Sequence, residues 1–285
     1  MASANPDTSD NAYTLPSHLE GDAVRLNLQH EAFRLILDDK LVVTPIPSDF
    51  AGRALDIGTG TGIWAADFAN EYPNSSILGV DLFAPSYTPV SSNCEFQVLD
   101  VEKDWNADIL PDASFDFIHA RMFAFLLKEP KEVLKRCLGS LKPGGSVEFQ
   151  EMTQPFQGNT PEVDTPNLRL SRLRTEAASH IGLDRTIAGR LPEFLTEAGF
   201  VDVEEKEYKL PIGAWMDSDR LKEAGTKWAR CVKMGTVGFS KTVLMKGLGW
   251  SEEKVLQVCQ EAIDDVGNGE VYARVHVVTA KRPAE

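Results

Sequence analysis

The segment ALDIGTGTGIW, from Ala54 to Trp64, sets Gly58, Gly60 and Gly62 at alternate positions behind an acid, Asp56. Glycines without a Cβ let a backbone turn approach a ligand closely, and three nucleotide chemistries use such turns. A phosphate loop requires GxxxxGK[ST], with a lysine for the terminal phosphates, and the segment has neither the spacing nor the lysine. A dinucleotide fingerprint requires G-x-G-x-x-G; here the third glycine falls one residue early and Ile63 takes the next position. Asp56 would also face a pyrophosphate unfavourably. The acid suits a ligand carrying a sulfonium and an ammonium, through charge attraction in a poorly solvated cleft, or it binds N–H groups of the glycine loop itself. Thr59 lies within the turn and belongs to the same ligand set, whereas Trp64 either packs in the core or sits beside the ligand.

Further acids follow at the expected ends of later strands. Asp81, followed by Leu82, closes "SILGVDL", where a carboxylate accepts from both ribose hydroxyls. Asp100 and Val101 close "CEFQVLDV", where an acid can accept from an adenine amino group. His119 and Arg121 lie at the end of "FDFIHAR". A histidine there is a candidate general base or a hydrogen-bonded residue shaping the pocket, and the arginine is expected to pair with Asp56 or Glu151. Glu151, at the end of "SVEFQEM", is a second catalytic candidate at the same mouth. Met122, Phe123 and Trp215 are candidates for an apolar substrate wall, with core packing as the alternative.

Elements that position these residues follow from the pattern of apolar and turn residues. "RALDIG", "SILGVDL", "CEFQVLDV", "FDFIHAR" and "SVEFQEM" read as buried strands, and "IWAADFANEY" and "PKEVLKRCLGSL" as helices. This alternation predicts an α/β fold, a doubly wound and mostly parallel sheet with helices on both faces. Before it, "DAVRLNLQHEAFRLIL" has helical spacing from Asp22 and must cover a surface. Beyond Met152, "TQPFQGNTPEVDTPN" reads as a loop, followed by two helices and the alternating strand "VDVEEKEYKLPIG". Residues 216–267 read as inserted helices placed to form a substrate lid, and "VYARVHVVTAKR" as the last strand. The expected organisation is a disordered tail over 1–12, a helical cap over 13–50 and a catalytic domain over 51–285.

Taken in order, "LDIGTGTG", Asp81 in "GVDL", "LDV", "FDFIHAR" and "LKPGG" resemble the class I S-adenosylmethionine-dependent methyltransferases. The resemblance spans roughly residues 50–152 and implies a seven-stranded Rossmann-like sheet with an antiparallel last strand. It also implies S-adenosylmethionine as cofactor and S-adenosylhomocysteine as product. More narrowly, "YTLPSHLEGDAVRLNLQH", "DIGTGTGIWAADFANEYP", "FDFIHARM" and "LKPGGSVEFQE" resemble the LaeA-like methyltransferases of filamentous fungi. In that group the N-terminal region folds over the cofactor, which implies contacts from Tyr13 and from Arg25, the latter to the methionine carboxylate. The resemblance implies methylation of an oxygen, nitrogen or sulfur of a small fungal secondary metabolite. The alternative it carries is a regulator of secondary metabolism that acts through protein partners.

Bulk properties narrow the setting. The formal net charge is −14, and no uninterrupted basic stripe offsets it, which argues against a nucleic-acid partner. Neither a signal sequence nor a long apolar run is present, so a membrane span is not expected. Cys94, Cys137, Cys231 and Cys259 are widely spaced and read as free thiols of a reducing, cytoplasmic setting, with no metal site. The sequence leaves the oligomeric state, the substrate and the acceptor atom open.

Overall fold

The computed structural model describes residues 22–86 and 91–285. The expected tail over 1–12 and the candidate Tyr13 lie outside the described residues. Seven strands form one sheet in the order β3-β2-β1-β4-β5-β7-β6. They are β1 (Arg53–Ile57), β2 (Ser76–Asp81), β3 (Cys94–Val98), β4 (Phe115–Arg121), β5 (Leu141–Gly158), β6 (Val201–Pro211) and β7 (Val271–Lys281). The pairs from β3 through β5 are parallel, and β7 runs antiparallel to both β5 and β6. This is the mostly parallel, Rossmann-like sheet with an antiparallel last strand that the motifs predict.

Each central strand is buried on both faces, as a covered parallel sheet requires. Leu55, Ile57, Ile118 and Phe149 pack on one side with α3 (Pro130–Ser140) and α5 (Leu191–Ala198). Ala54 and Phe117 pack on the other with Trp64 and Phe68 of α2 (Ile63–Glu71). Helix α1 (Asp22–Ile36) lies beside α6 (Asp219–Leu248), and both cover β6 and β7. Helix α4 (Pro166–Ser179) and α7 (Glu252–Asp265) close the far side of α6. The stretch expected as inserted helices is thus occupied by α6 and α7. Gly199 ends α5 at φ 103°, a left-handed C-cap.

Several boundaries differ from the sequence reading, two of them beside the site. Residues 153–158 continue β5 instead of forming a loop, pairing Gln157 with Tyr272 and Gly158 with Val271 after a register shift. Their mixed polar composition hides a strand whose partner lies more than a hundred residues away. Strand β3 ends at Val98, so Asp100 stands in the following turn, where its Oδ1 accepts from the Glu102 N–H at 3.1 Å.

Period-two alternation places a polar row on the α2 face of the sheet. Asp56, His119 and Glu148 are register neighbours across β1, β4 and β5. All three are buried, and the segment linking α1 to β1 is bonded to Glu148. Glu148 accepts from the Val43 N–H (2.9 Å), the Thr44 N–H (2.6 Å) and the Thr44 hydroxyl (2.6 Å). The Leu41 carbonyl accepts from both Trp64 Nε1 and Gln150 Nε2. The linker is therefore fastened to the middle of the sheet, and α1 is held over the carboxyl ends of the strands.

Candidate active site

At those carboxyl ends lies a cavity of about 570 Å³. Its floor is the turn after β1. Gly58, Gly60 and Gly62 have φ of 69°, 60° and 87°, a region that costs other residues strain. The close quarters add a second constraint: a Cβ on Gly62 would stand 2.4 Å from Phe96, and one on Gly58 2.5 Å from Phe123. We therefore expect Gly62→Ala to lower stability by roughly 1–3 kcal/mol and to open the turn, read as a lower urea midpoint together with weakened S-adenosylhomocysteine binding.

Asp81 braces the turn from β2. Its Oδ2 accepts from the Gly60 N–H at 2.8 Å and its Oδ1 from the Phe83 N–H at 3.2 Å. Burial raises its carboxyl above the usual range, against the pull of these backbone donors. Leu82, Asp100 and Val101 continue the same wall. Asp100 also faces Lys103 at 3.5 Å.

Asp56 lines the cavity, but both its oxygens are engaged within the protein. Oδ1 meets His119 Nδ1 at 2.7 Å and Oδ2 accepts from the Thr59 hydroxyl at 2.6 Å. The glycine-loop amides go elsewhere, Gly58 N–H and Thr59 N–H to the Val80 carbonyl. Asp56 thus makes no bond to loop N–H groups, and its carboxylate is held by His119 and Thr59 at the edge of the cavity. It orients the histidine, whose ring stacks on Trp64 at 3.6 Å between centroids and 4° between planes. Its Nε2 is buried and has no partner among the described residues. Trp64 accordingly sits in the core as the plate behind His119, although its edge reaches the cavity.

Arg121 does not pair with Asp56 or Glu151. Its Nη2 lies 3.0 Å from His30 Nδ1, and His30 Nε2 lies 3.0 Å from Asp67 of α2. Burial pushes the Arg121 guanidinium down to about 10, opposed by Asp56 and Asp67. This chain joins β4, α1 and α2 beside the cleft. Arg25, also on α1, is buried, bonds Asp22 at 2.6 Å and lies over the Phe239 ring at 5.0 Å.

Glu151 stands apart from the mouth. It follows Gln150, the register partner of Arg121, and so points to the opposite face from His119. There its Oε1 accepts from the Phe123 and Ala124 N–H groups at 2.8 and 2.7 Å. It holds the turn after β4, in which Met122 has φ 54° and Met122, Phe123 and Phe125 face the cavity. Burial pushes its carboxyl up to about 8. Between about pH 4.5 and 8 the folded state then holds a proton the unfolded state has released, so stability falls as pH rises through that window. Glu151→Gln should flatten this slope, checked by urea midpoints at successive pH values.

Trp215 is likewise outside the cavity; its Nε1 donates to the Val271 carbonyl at 3.0 Å. The sequence reading missed the roof, to which α1 contributes Leu26 and Gln29 and α6 contributes Phe239. The one local signal for Phe239 was its helical spacing from Cys231 and Gly235 on α6.

Comparison with known proteins agrees with this geometry. A model of the methyltransferase domain family matches residues 28–205. Methyltransferase pytC of Aspergillus terreus is 33% identical over 267 residues, 91% of this chain and 80% of that protein. The secondary metabolism regulator laeA of Aspergillus fumigatus is 28% identical, over 95% of this chain and 73% of its own length. Among solved structures, the [4+2]-cyclase SpnF superposes with a TM-score of 0.51 at 19% identity, covering 94% of this chain and 86% of its own, a likeness of fold. Glycine turn, strand-end acids and sequence kinship converge: the chain belongs to the methyltransferase domain family and is an S-adenosylmethionine-dependent methyltransferase.

Proposed function

We propose that the chain methylates an oxygen, nitrogen or sulfur of a small secondary metabolite seated beside the cofactor. The observation that carries this is the cavity itself. It runs on from the glycine turn to a wall of Met122, Phe123, Phe125 and Phe239, an apolar enclosure of a size suited to cofactor and small acceptor together. The residues present fit S-adenosylmethionine, because the turn has no room for a Cβ at Gly58 and Gly62 and carboxylates stand at or just after the ends of successive strands. When bound, the cofactor supplies a methyl carbon already activated by its sulfonium. In this reading Asp81 holds the ribose, Asp100 the adenine amino group and Arg25 the methionine carboxylate. Asp56 acts through Thr59 and His119. His119, bonded to Asp56 and stacked on Trp64 with its Nε2 buried, shapes the wall of the site. Alignment and exclusion of water do the rest.

The test is calorimetry with S-adenosylhomocysteine, followed by incubation of the protein and labelled cofactor with a metabolite extract. Binding with label transfer to a small molecule supports the reading. Binding without transfer to any metabolite, together with a stable protein partner recovered from native extract, supports regulation through partners. The likeness to laeA favours that second reading. Four buried free cysteines support a reducing, cytoplasmic setting. The acidic charge balance supports the absence of a nucleic-acid partner. No described helix is long and apolar enough to cross a membrane.

A further inference from the structure

Arg121 ends β4 and lines the main cavity together with Met122 and Phe123, the wall assigned to the acceptor. Its Nη2 donates to His30 Nδ1 at 3.0 Å, and its guanidinium lies 5.4 Å from the centre of the Phe33 ring. A guanidinium has five N–H donors and no acceptor, and the bond to His30 uses one of them. Nε and Nη1 have no hydrogen-bond partner among the described residues.

No carboxylate among those residues neutralises it at close range. The two acids that attract it, Asp56 and Asp67, do so from beyond ion-pair distance. Both have nearer partners: Asp56 is held by His119 and Thr59, and Asp67 lies 3.0 Å from His30 and 3.6 Å from Arg34. Even lowered to about 10, the guanidinium keeps its proton at neutral pH. The cavity therefore carries a cation with donors to spare and no counter-ion of its own. Drawing a charge out of water without a partner is costly, and a sulfonium in the same enclosure adds to the positive charge. An anion brought in by a ligand relieves both. A guanidinium takes no proton, so it cannot act as a base; it holds an oxygen that is already ionised, and it repels an ammonium.

We propose that Arg121 holds the acceptor oxygen as its anion, so that the methyl acceptor is an acidic hydroxyl compound, a phenol or an enol, and not an amine. This rests on the reading of the main cavity as the cofactor and acceptor site. The hydroxyl proton leaves to solvent as the acceptor ionises. A lone pair of the oxygen then forms the bond to the methyl carbon while the carbon–sulfur bond breaks, and the electron pair of that bond stays on sulfur. The negative charge on oxygen and the positive charge on sulfur are both cancelled.

The test uses protein loaded with S-adenosylhomocysteine and two phenols whose absorbance reports their ionisation, 4-nitrophenol and 7-hydroxycoumarin. Each is titrated with pH in the bound state, and its affinity is compared by calorimetry with that of its methyl ether. At least one phenol should ionise about one pH unit or more lower when bound than when free, a tenfold preference for the anion, and should bind more tightly than its ether. Arg121→Met should abolish the shift while the ether still binds, and Arg121→Lys, which keeps the charge, should retain part of it. Where the methionine variant fails to fold, the titration of the native protein and the lysine variant carry the test. No shift in the native protein, no binding of either phenol, or a full shift in folded Arg121→Met overturns the assignment. So does an Arg121→Met protein that loses affinity for S-adenosylhomocysteine but not for its decarboxylated analogue, because Arg121 then serves the cofactor's carboxylate. Failure of S-adenosylhomocysteine to bind the native protein overturns the cofactor reading instead.

Discussion

Replacing Asp81 by alanine is expected to weaken S-adenosylhomocysteine binding by tenfold to a hundredfold, the equivalent of roughly 1.5–3 kcal/mol for lost charge-assisted hydrogen bonds. Two losses combine. The Gly60 and Phe83 N–H groups lose their acceptor, so the glycine turn is no longer braced, and the proposed ribose contact disappears. Asp81→Asn separates them. The amide oxygen can still accept one backbone N–H, so the turn is partly kept while ribose binding is impaired. Calorimetry checks both variants, with circular dichroism to establish that each is folded. Unchanged affinity in the alanine variant removes Asp81 from the site.

The second large effect is on stability. Glu148→Ala should lower unfolding free energy by about 3 kcal/mol, because several buried or partly buried donors lose one acceptor and a buried one costs about 1–3 kcal/mol. Those donors are the Val43 and Thr44 N–H groups, the Thr44 hydroxyl and Gln150 Nε2. Glu148→Gln preserves the shape but turns an NH₂ towards donors, so it should be destabilising as well. A packing role would leave the glutamine variant near the native urea midpoint. Because the linker carries α1 to the roof of the cavity, both variants should also weaken S-adenosylhomocysteine binding.

Much of the fold was legible because local signals and tertiary demand agree. Strand β4 begins after the turn residues PDAS and ends on Arg121 as read, and Gly199 stops α5. Where partners lie far away in sequence, the local pattern fails. Residues 153–158 extend β5 only because β7 offers a ladder there. The glycine turn and the acids at or just after the strand ends were legible because each follows a buried strand of readable pattern, and they line one cavity. Glu151 was misplaced because the ends of neighbouring strands suggested a common mouth; Arg121 does line the cavity but was given the wrong partner, and Trp215 had no local signal of its place. In a strand, successive side chains take opposite faces, which sends Glu151 beneath the turn it holds. Arg121 meets His30 because α1 folds back over β4, an arrangement invisible within either segment. The roof residues Gln29 and Phe239 come from helices far apart in sequence, joined by packing and by the Glu31–Lys227 ion pair.

The strand at the end of the sheet has a consequence for the protein in bulk. Among the described residues, β6 leaves one side of its backbone without a neighbouring strand, and such an edge invites other chains to add to it. Here the exposed positions carry Asp202, Glu204, Glu205, Lys206, Glu207 and Lys209. Two copies meeting edge to edge would bring carboxylates together and strip water from charged side chains. At high concentration the chain is thus guarded against fibril-like stacking by a strand that takes no part in its chemistry, and neutralising Glu205 and Glu207 would remove part of that guard.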